Sequence, residues 1–122
     1  MKALSLKQPW AELVLQEKKT IETRKWNTKF RGKFLIHASK NVDREKMREL
    51  GWEKELPLGK VVGSAFLKEV VVYDSEEKFL RDYNRHLSKN FCNPTYGFVL
   101  ENVRRIKPFS IKGKLGFFEV NI

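Results

Sequence analysis

The hydrophobic positions of the chain fall in short periodic segments that are separated by polar turns. Residues 2–6 alternate as a strand, and residues 10–18 place Trp10 and Leu13 on one face of a short helix. Trp10 is therefore expected to pack in the core, with stacking on a planar ligand at a cleft edge as its alternative use.

The next segment combines a period-two pattern with charged and hydroxyl side chains. Residues 20–24 are predicted to form a strand that places Thr20, Glu22 and Arg24 on one side. Residues 32–39 follow as a strand whose apolar positions are dense enough to bury both of its faces. A core needs no charged groups beside such a strand, so the polar face of residues 20–24 is free to form a site.

Beyond residue 40 the chain is predicted to contain two helices and three strands. The long apolar run should bend or bulge near Gly63, and Pro108 is expected in the connection between the last two strands. About six strands without a repeated βαβ pattern predict an α+β fold of a single domain, residues 1–122. This fold would be a small, mostly antiparallel β-barrel with about three peripheral helices. The predicted elements are the helices 41–50 and 75–87 and the strands 59–73, 96–103 and 114–122.

The charge balance of the chain is strongly basic. Lysine and arginine number 25 against 15 acidic residues, which gives a formal net charge of +10. A surplus of this size favours polyanionic partners such as RNA or DNA, because each neutralised phosphate releases counterions. The alternative is that the lysines only keep the protein soluble, and lysine enrichment also occurs in heat-adapted proteins.

Several classes of protein are excluded by what the sequence lacks. No apolar run approaches the ~20 residues needed to cross a bilayer, and the first residues lack the apolar centre of a signal peptide. A cytosolic protein that does not enter membranes is therefore predicted. Cys92 is the only cysteine, and His37 and His86 are the only histidines, so neither a disulfide nor a metal site is expected. No cofactor is predicted, and the oligomeric state is left open.

Polar side chains close to the first predicted helix form a candidate site for RNA or another nucleic acid. Cationic side chains suit phosphates, amide and carboxylate groups suit base edges, and an aromatic ring within a basic loop suits base stacking. Two further polar residues follow the end of the buried strand and are placed at the rim of the barrel. The candidate binding residues are Gln8, Lys19, Thr20, Glu22, Arg24, Trp26, Ser39 and Lys40.

Most of these residues also have a structural alternative. Glu22 and Arg24 would form an ion pair that only organises the sheet. Lys19 would stabilise the end of the first helix, and Gln8 would cap its beginning. His37 alternates with apolar residues and is expected to be a hydrogen-bonded core histidine.

Four segments of the chain together resemble the ASCH domain of the PUA-like superfamily. They are SLKQPWAELVLQEKKTIETRKW, RGKFLIHASK, GKVVGSAFL and YGFVLENV. The resemblance implies a PUA-like barrel, a basic cleft between the first helix and the barrel, and RNA or other nucleic acid as the partner. Its most specific part is the combination Lys19-Thr20-x-Glu22-x-Arg24 with Arg31-Gly32.

The resemblance also implies an enzymatic alternative. Some small bacterial relatives act as ribonucleases or as amidohydrolases on N4-acetylcytidine, and in a hydrolase of that kind Lys19 and Glu22 would be the catalytic residues. The chain departs from the amidohydrolases at Glu22, where they carry a threonine nucleophile. It also departs at Glu17, where many relatives have a glycine that ends the first helix. A binding module is favoured, and a hydrolase acting on RNA or a modified nucleoside is the second hypothesis.

Overall fold

The computed structural model describes residues 1–122 as six strands and four short helices. The strands are β1 (Lys2–Gln8), β2 (Ile21–Arg24), β3 (Gly32–Val42), β4 (Lys60–Tyr73), β5 (Thr95–Ser110) and β6 (Phe117–Glu119). The helices are α1 (Trp10–Leu15), α2 (Arg44–Leu50), α3 (Glu76–Arg81) and α4 (Tyr83–His86). No helix has the length and the apolar character that a membrane span requires.

The six strands form one mixed sheet in the order β2-β5-β4-β3-β1-β6. β1 and β3 run parallel, and the other neighbouring pairs are antiparallel. The predicted α+β class with a mostly antiparallel sheet is therefore confirmed. A closed barrel is too strict a description, because β2 and β6 are the two edges of the sheet and the backbone does not pair between them.

An aromatic cluster joins the two sheet edges that backbone hydrogen bonds leave apart. Phe117 of β6 packs against Trp26 and Phe30, which follow β2, with ring centroids 6.1 and 4.9 Å apart. Phe117 also contacts Phe34 of β3 and Phe98 of β5, at centroid distances of 5.5 and 6.2 Å. Side-chain packing thus holds the curled sheet together at these edges, and it fixes the position of Trp26.

β3 is buried on both faces, as its dense apolar pattern predicted. Phe34 and Ile36 belong to the main core cluster, together with Val14 of α1. Leu35 points to the opposite face and packs in a smaller cluster with Phe118 of β6. The central strand therefore carries two cores, one of which is covered by α1.

The bulge predicted near Gly63 is present in β4. The pairing of β4 with β5 shifts in register beside Gly63, and its pairing with β3 shifts after Ile36. A Cβ atom on Gly63 would overlap the side chain of Leu15 in α1 and the carbonyl of Arg104 in β5. Glycine at this position lets α1 lie directly on the sheet, which sets the place of the helix.

Two predictions about the second half of the chain are wrong. The predicted third helix is two helices, because the chain leaves helical geometry at Asp82, whose carboxylate accepts a hydrogen bond from the Tyr73 hydroxyl at 2.6 Å. Pro108 lies inside β5 rather than in a connection. Proline is tolerated there because this part of β5 pairs with β4 alone. On the unpaired side of the strand no backbone N–H group is needed for a hydrogen bond.

Both histidines are buried and hydrogen-bonded through both ring nitrogens, so the prediction for His37 is confirmed. In His37, Nε2 lies 3.2 Å from the carbonyl oxygen of Ile111 and Nδ1 lies 2.8 Å from the hydroxyl of Ser5. In His86, Nε2 lies 2.7 Å from the carbonyl oxygen of Phe79, and Nδ1 accepts a backbone N–H at 3.0 Å. Burial lowers the pKa of both rings, which are therefore held in the neutral form.

α1 ends in a left-handed residue that carries a side chain. Glu17 has a φ angle of 60°, and the backbone N–H groups of Lys18 and Lys19 both donate to the Leu13 carbonyl, at 3.0 and 3.1 Å. A left-handed residue with a Cβ atom is strained by about 1 kcal/mol. The chain thus keeps the helix ending for which glycine is best suited, and it accepts the strain.

Glu17→Gly should raise the free energy of unfolding by up to about 1 kcal/mol, because glycine adopts a positive φ without strain. Urea denaturation of the variant and of the unaltered protein measures the change. Gln16→Gly is the matched control, since Gln16 has a right-handed φ of −80° and glycine there should destabilise the protein. Equal destabilisation by both substitutions would contradict the assignment of strain to Glu17.

The free energy of unfolding should fall as the pH decreases from 7 to 5. The folded-state pKa values of His37 and His86 are lowered, so below about pH 6.5 the unfolded chain takes up protons that the folded chain does not bind. Urea denaturation at a series of pH values measures this loss. In His37→Asn the loss should be smaller, because only His86 still titrates in this range. An unaltered pH dependence in that variant would refute the contribution of His37.

Candidate functional site

A polar cleft beside α1, here called the Lys19 cleft, has a volume of about 550 Å³. Its walls come from β1, α1, β2 with its flanking residues, the end of β3 with the N-cap of α2, and the segment from the end of α4 to the start of β5. One cavity therefore collects side chains from five parts of the chain. Five of the candidate residues line it, namely Lys19, Glu22, Arg24, Trp26 and Ser39.

Lys19 lies at the base of this cleft with only 1% of its surface exposed. Its Nζ atom donates a hydrogen bond to the His86 carbonyl and lies 3.5 Å from Oε1 of Glu22. The same atom lies 4.5 Å from the centroid of the Trp10 ring. A carbonyl, a carboxylate and an aromatic face thus surround the ammonium group, and each of them favours a cation.

The pKa of Lys19 reflects two opposing effects. Burial lowers it to about 8, and the nearby charges of Arg24 and Lys46 act in the same direction. The charge of Glu22 and its hydrogen bond oppose this shift. Lys19 is therefore mostly protonated at neutral pH, but it releases its proton far more readily than an exposed lysine does.

Glu22 and Arg24 share one face of β2, as the period-two pattern predicted. Oε2 of Glu22 accepts hydrogen bonds from Nε and Nη2 of Arg24, at 3.1 and 2.8 Å, while Oε1 faces Lys19. Nη2 of Arg24 also donates to the Ser5 carbonyl at 2.8 Å. The ion pair that the structural alternative predicted is therefore present. It leaves the Nη1 group of Arg24 as an unused donor.

Trp26 is half-buried and contributes part of the cleft wall. Its ring meets Phe98 edge to face at a centroid distance of 5.4 Å, and the Arg24 guanidinium carbon lies 5.9 Å from its centroid. The indole is thus held in place by the aromatic cluster on one side and borders the cleft on the other.

Trp10 lines the cleft and does not belong to the core cluster, so its predicted core position is wrong. The indole N–H donates to Oδ2 of Asp43 at 2.9 Å. The ammonium groups of Lys19 and Lys46 lie 4.5 and 5.1 Å from the ring centroid. The hydrophobic pattern failed at this position because cations cover the ring in place of apolar side chains.

Three candidate residues do not line the Lys19 cleft. Gln8 is buried and caps α1, since its Oε1 accepts the backbone N–H of Glu12 at 3.0 Å, which is the structural alternative expected for it. Thr20 precedes β2, and its backbone N–H donates to the Arg85 carbonyl at 2.8 Å. Lys40 lines a neighbouring groove.

Other lining residues were not singled out by the sequence patterns. Asp43 gave only the signal of a helix N-cap, and its Oδ1 does accept a backbone N–H in the first turn of α2. The segment after α4 gave no periodic signal, and the bond from Lys19 to the His86 carbonyl holds it beside the cleft. These lining residues are Lys7, Thr23, Lys25, Asp43, Ser88, Asn90 and Thr95.

The cations around α1 differ in how strongly they are engaged by carboxylates. Lys7 and Lys25 are exposed at the cleft and pair with no carboxylate. Arg105, in contrast, donates two 2.9 Å hydrogen bonds to Glu12, and this pairing lowers the pKa of the glutamate. Lys7 and Lys25 are therefore the cations of the cleft that a ligand can engage without breaking an ion pair.

Three solved structures of ASCH from Zymomonas mobilis share the fold of this chain. The crystal structure of ASCH from Zymomonas mobilis has a TM-score of 0.74 and 16% sequence identity, and the match covers 98% of this chain and 87% of that chain. A variant of it with a tyrosine-to-phenylalanine substitution gives 0.74 at 17% identity over 98% and 89% of the two chains. A serine-to-alanine variant gives 0.73 at 17% identity over 98% and 87%.

The sequence comparisons establish the family. No curated protein sequence is significantly similar to the chain. The family model described as the ASCH domain matches residues 4–110, which is most of the 122 residues. The chain therefore belongs to the ASCH domain family and has its PUA-like fold.

Proposed function

We propose that residues 1–122 act as one RNA-binding module, with the Lys19 cleft as its ligand site. One observation supports this most directly, which is that the exposed and unpaired Lys7 and Lys25 line the same cavity as the indole of Trp26. Cations that neutralise phosphates and an aromatic ring that stacks on a base are the recurring contacts to single-stranded nucleic acid.

The cleft residues have separate roles in this proposal. Lys7 and Lys25 contact phosphates, and the unused Nη1 group of Arg24 donates to a phosphate or a base edge. Glu22 holds Arg24 in place through one carboxylate oxygen, and Lys19 faces the other oxygen, so both oxygens already face cations. Glu22 is thus a positioning residue and does not read a base.

Stacking on Trp26 supplies the sequence-tolerant part of the affinity. Its ring is held against Phe98 and Phe117 before any ligand arrives, so little side-chain entropy is lost on binding. Base stacking on an aromatic side chain contributes about 1–3 kcal/mol per base. The formal net charge of +10 adds a long-range attraction that increases the association rate.

Replacing Lys7 and Lys25 with alanine should weaken the binding of single-stranded RNA. The slope of log K against log salt concentration should decrease by about 0.7 for each phosphate contact that is lost. Fluorescence anisotropy with a labelled random-sequence RNA, at several salt concentrations, measures both effects. Lys68→Ala is the matched control, because Lys68 is exposed on β4 and lies outside the cleft. Absence of RNA binding by the unaltered protein at low salt would refute the proposal.

A second candidate function is hydrolysis of RNA or of an acyl group on a modified nucleoside such as N4-acetylcytidine. The pKa of about 8 at Lys19 favours it, because part of the amine is unprotonated near neutral pH and Glu22 lies 3.5 Å away to exchange a proton. Against it, Glu22 stands where the amidohydrolases carry their nucleophile, and both of its oxygens face cations. Binding without turnover is therefore the better-supported function.

Incubation with N4-acetylcytidine, and separately with labelled RNA, distinguishes the two functions. Chromatography of the nucleoside and gel analysis of the RNA should detect no product. Turnover that disappears in Glu22→Gln, with an unaltered circular dichroism spectrum, would establish hydrolysis instead. Lys68→Ala serves as the control in this assay, because Lys68 is exposed and lies outside the cleft, so Lys19 and Glu22 stay in place.

A further inference from the structure

A second cavity, here called the Lys112 groove, lies on the other side of Ser5 and Ser39. It has a volume of about 850 Å³, and its walls come from β3 and the segment between β5 and β6. Three lysines line it, no aspartate or glutamate does, and none of the three forms a salt bridge. They are Lys40, Lys112 and Lys114.

The Lys112 groove adjoins the Lys19 cleft. Ser5 and Ser39 line both cavities, and no other residue does. Each of these serines therefore stands at the junction, with the aromatic and cationic cleft on one side and the lysine-lined groove on the other. A ligand longer than one nucleotide in the Lys19 cleft has a basic path in this direction.

The segment that carries two of these lysines is fixed to the sheet. The Ile111 carbonyl oxygen lies 3.2 Å from Nε2 of His37. A Cβ atom on Gly113 would lie 2.7 Å from Cε1 of His37 and 2.9 Å from Oγ of Ser5, so the backbone packs closely on this pair of side chains. Lys112 and Lys114 flank Gly113 and are thereby held beside the junction.

The hydrogen bonds of His37 determine what Ser5 can offer a ligand. A carbonyl oxygen only accepts, so Nε2 of His37 donates to Ile111 and Nδ1 is the acceptor of the neutral ring. The Ser5 hydroxyl then donates to Nδ1, which lies 2.8 Å away. Its lone pairs remain for the cavities, so a ligand group that binds Ser5 has to be a hydrogen-bond donor. On the backbone of RNA this donor is the ribose 2′-hydroxyl, which DNA lacks.

We infer that the Lys19 cleft and the Lys112 groove form one track for single-stranded RNA of more than one nucleotide. A base lies in the cleft, the 2′-hydroxyl of the connecting ribose donates to Ser5, and the following phosphates lie on Lys40, Lys112 and Lys114. This inference rests on the proposed RNA binding, and it adds a length requirement and a preference for RNA over DNA.

The length requirement is tested with random-sequence RNAs of one to eight nucleotides and the double variant Lys112→Ala/Lys114→Ala. The unaltered protein should bind longer RNAs more tightly, and the double variant should lose this gain while its affinity for a mononucleotide stays the same. The salt slope for the longer RNA should fall by about 1.4 in total, since about 0.7 is lost for each phosphate contact. Lys68→Ala is again the control.

The outcomes separate the two proposals. If RNA binding depends on Lys25, but the double variant binds RNA of every length as tightly as the unaltered protein does, the track is overturned. The proposed RNA binding in the Lys19 cleft then still stands. Absence of binding to RNA of any length would refute both. A loss of affinity for the mononucleotide equal to the loss for longer RNA would also overturn the track, because it places both lysines at the cleft.

The preference for RNA is tested with Ser5→Ala and with RNA and DNA oligonucleotides of the same sequence. The unaltered protein should prefer RNA, and the variant should lose roughly fivefold in RNA affinity with little change for DNA. The ratio of the two affinities is the readout, because a general loss of structure lowers both affinities together. An unaltered RNA-to-DNA ratio in Ser5→Ala would overturn the assignment of the ribose to Ser5.

Discussion

The candidate site depends on the contacts that stabilise one buried positive charge, the ammonium group of Lys19. Lys19 is enclosed by Glu22 of β2, by the His86 carbonyl at the end of α4 and by the ring of Trp10 in α1. A buried charge that loses its partner costs roughly 3–5 kcal/mol, so these three elements are constrained to meet at Lys19. Lys46 repeats the arrangement, since its Nζ lies 5.1 Å from the centroid of the Trp10 ring and donates to the Leu87 carbonyl at 3.0 Å. The walls of the cleft are thus joined by lysines that a ligand does not need to touch.

Local patterns in the sequence predicted most of the helices and strands. They did not predict whether the two edge strands of the sheet pair with each other to close a barrel. The bulge at Gly63 depends on neighbouring residues along one strand, and it was predicted correctly. Closure depends on whether β2 and β6 pair, which periodicity along one strand does not encode. The predicted third helix is interrupted at Asp82, and the hydrogen bond between Asp82 and Tyr73 of β4 is likewise a contact between separate elements.

The site was predictable where a strand pattern alone decides the geometry. Alternation along β2 was enough to place Glu22 and Arg24 on one face, since consecutive strand residues point to opposite sides. Gln8 and Trp10 were harder, because a side chain at a strand-to-helix turn can point either way and its partners come from elsewhere. Lys19, one of the two lysines near the Trp10 ring, is nine residues away in sequence. Ser88 and Asn90 follow α4 and gave no periodic signal.

The parallel pairing of β1 with β3 has a consequence for how the cleft is encoded along the chain. Two parallel neighbours need a crossover connection, and here that connection contains α1, Lys19 and the whole of β2. The central part of the cleft is therefore encoded by one uninterrupted stretch of about 35 residues. The remaining wall, with Ser88 and Asn90, is encoded far away in a loop outside the sheet. A substitution in this loop can therefore alter one wall of the cleft while the crossover keeps Lys19, Glu22 and Arg24 together.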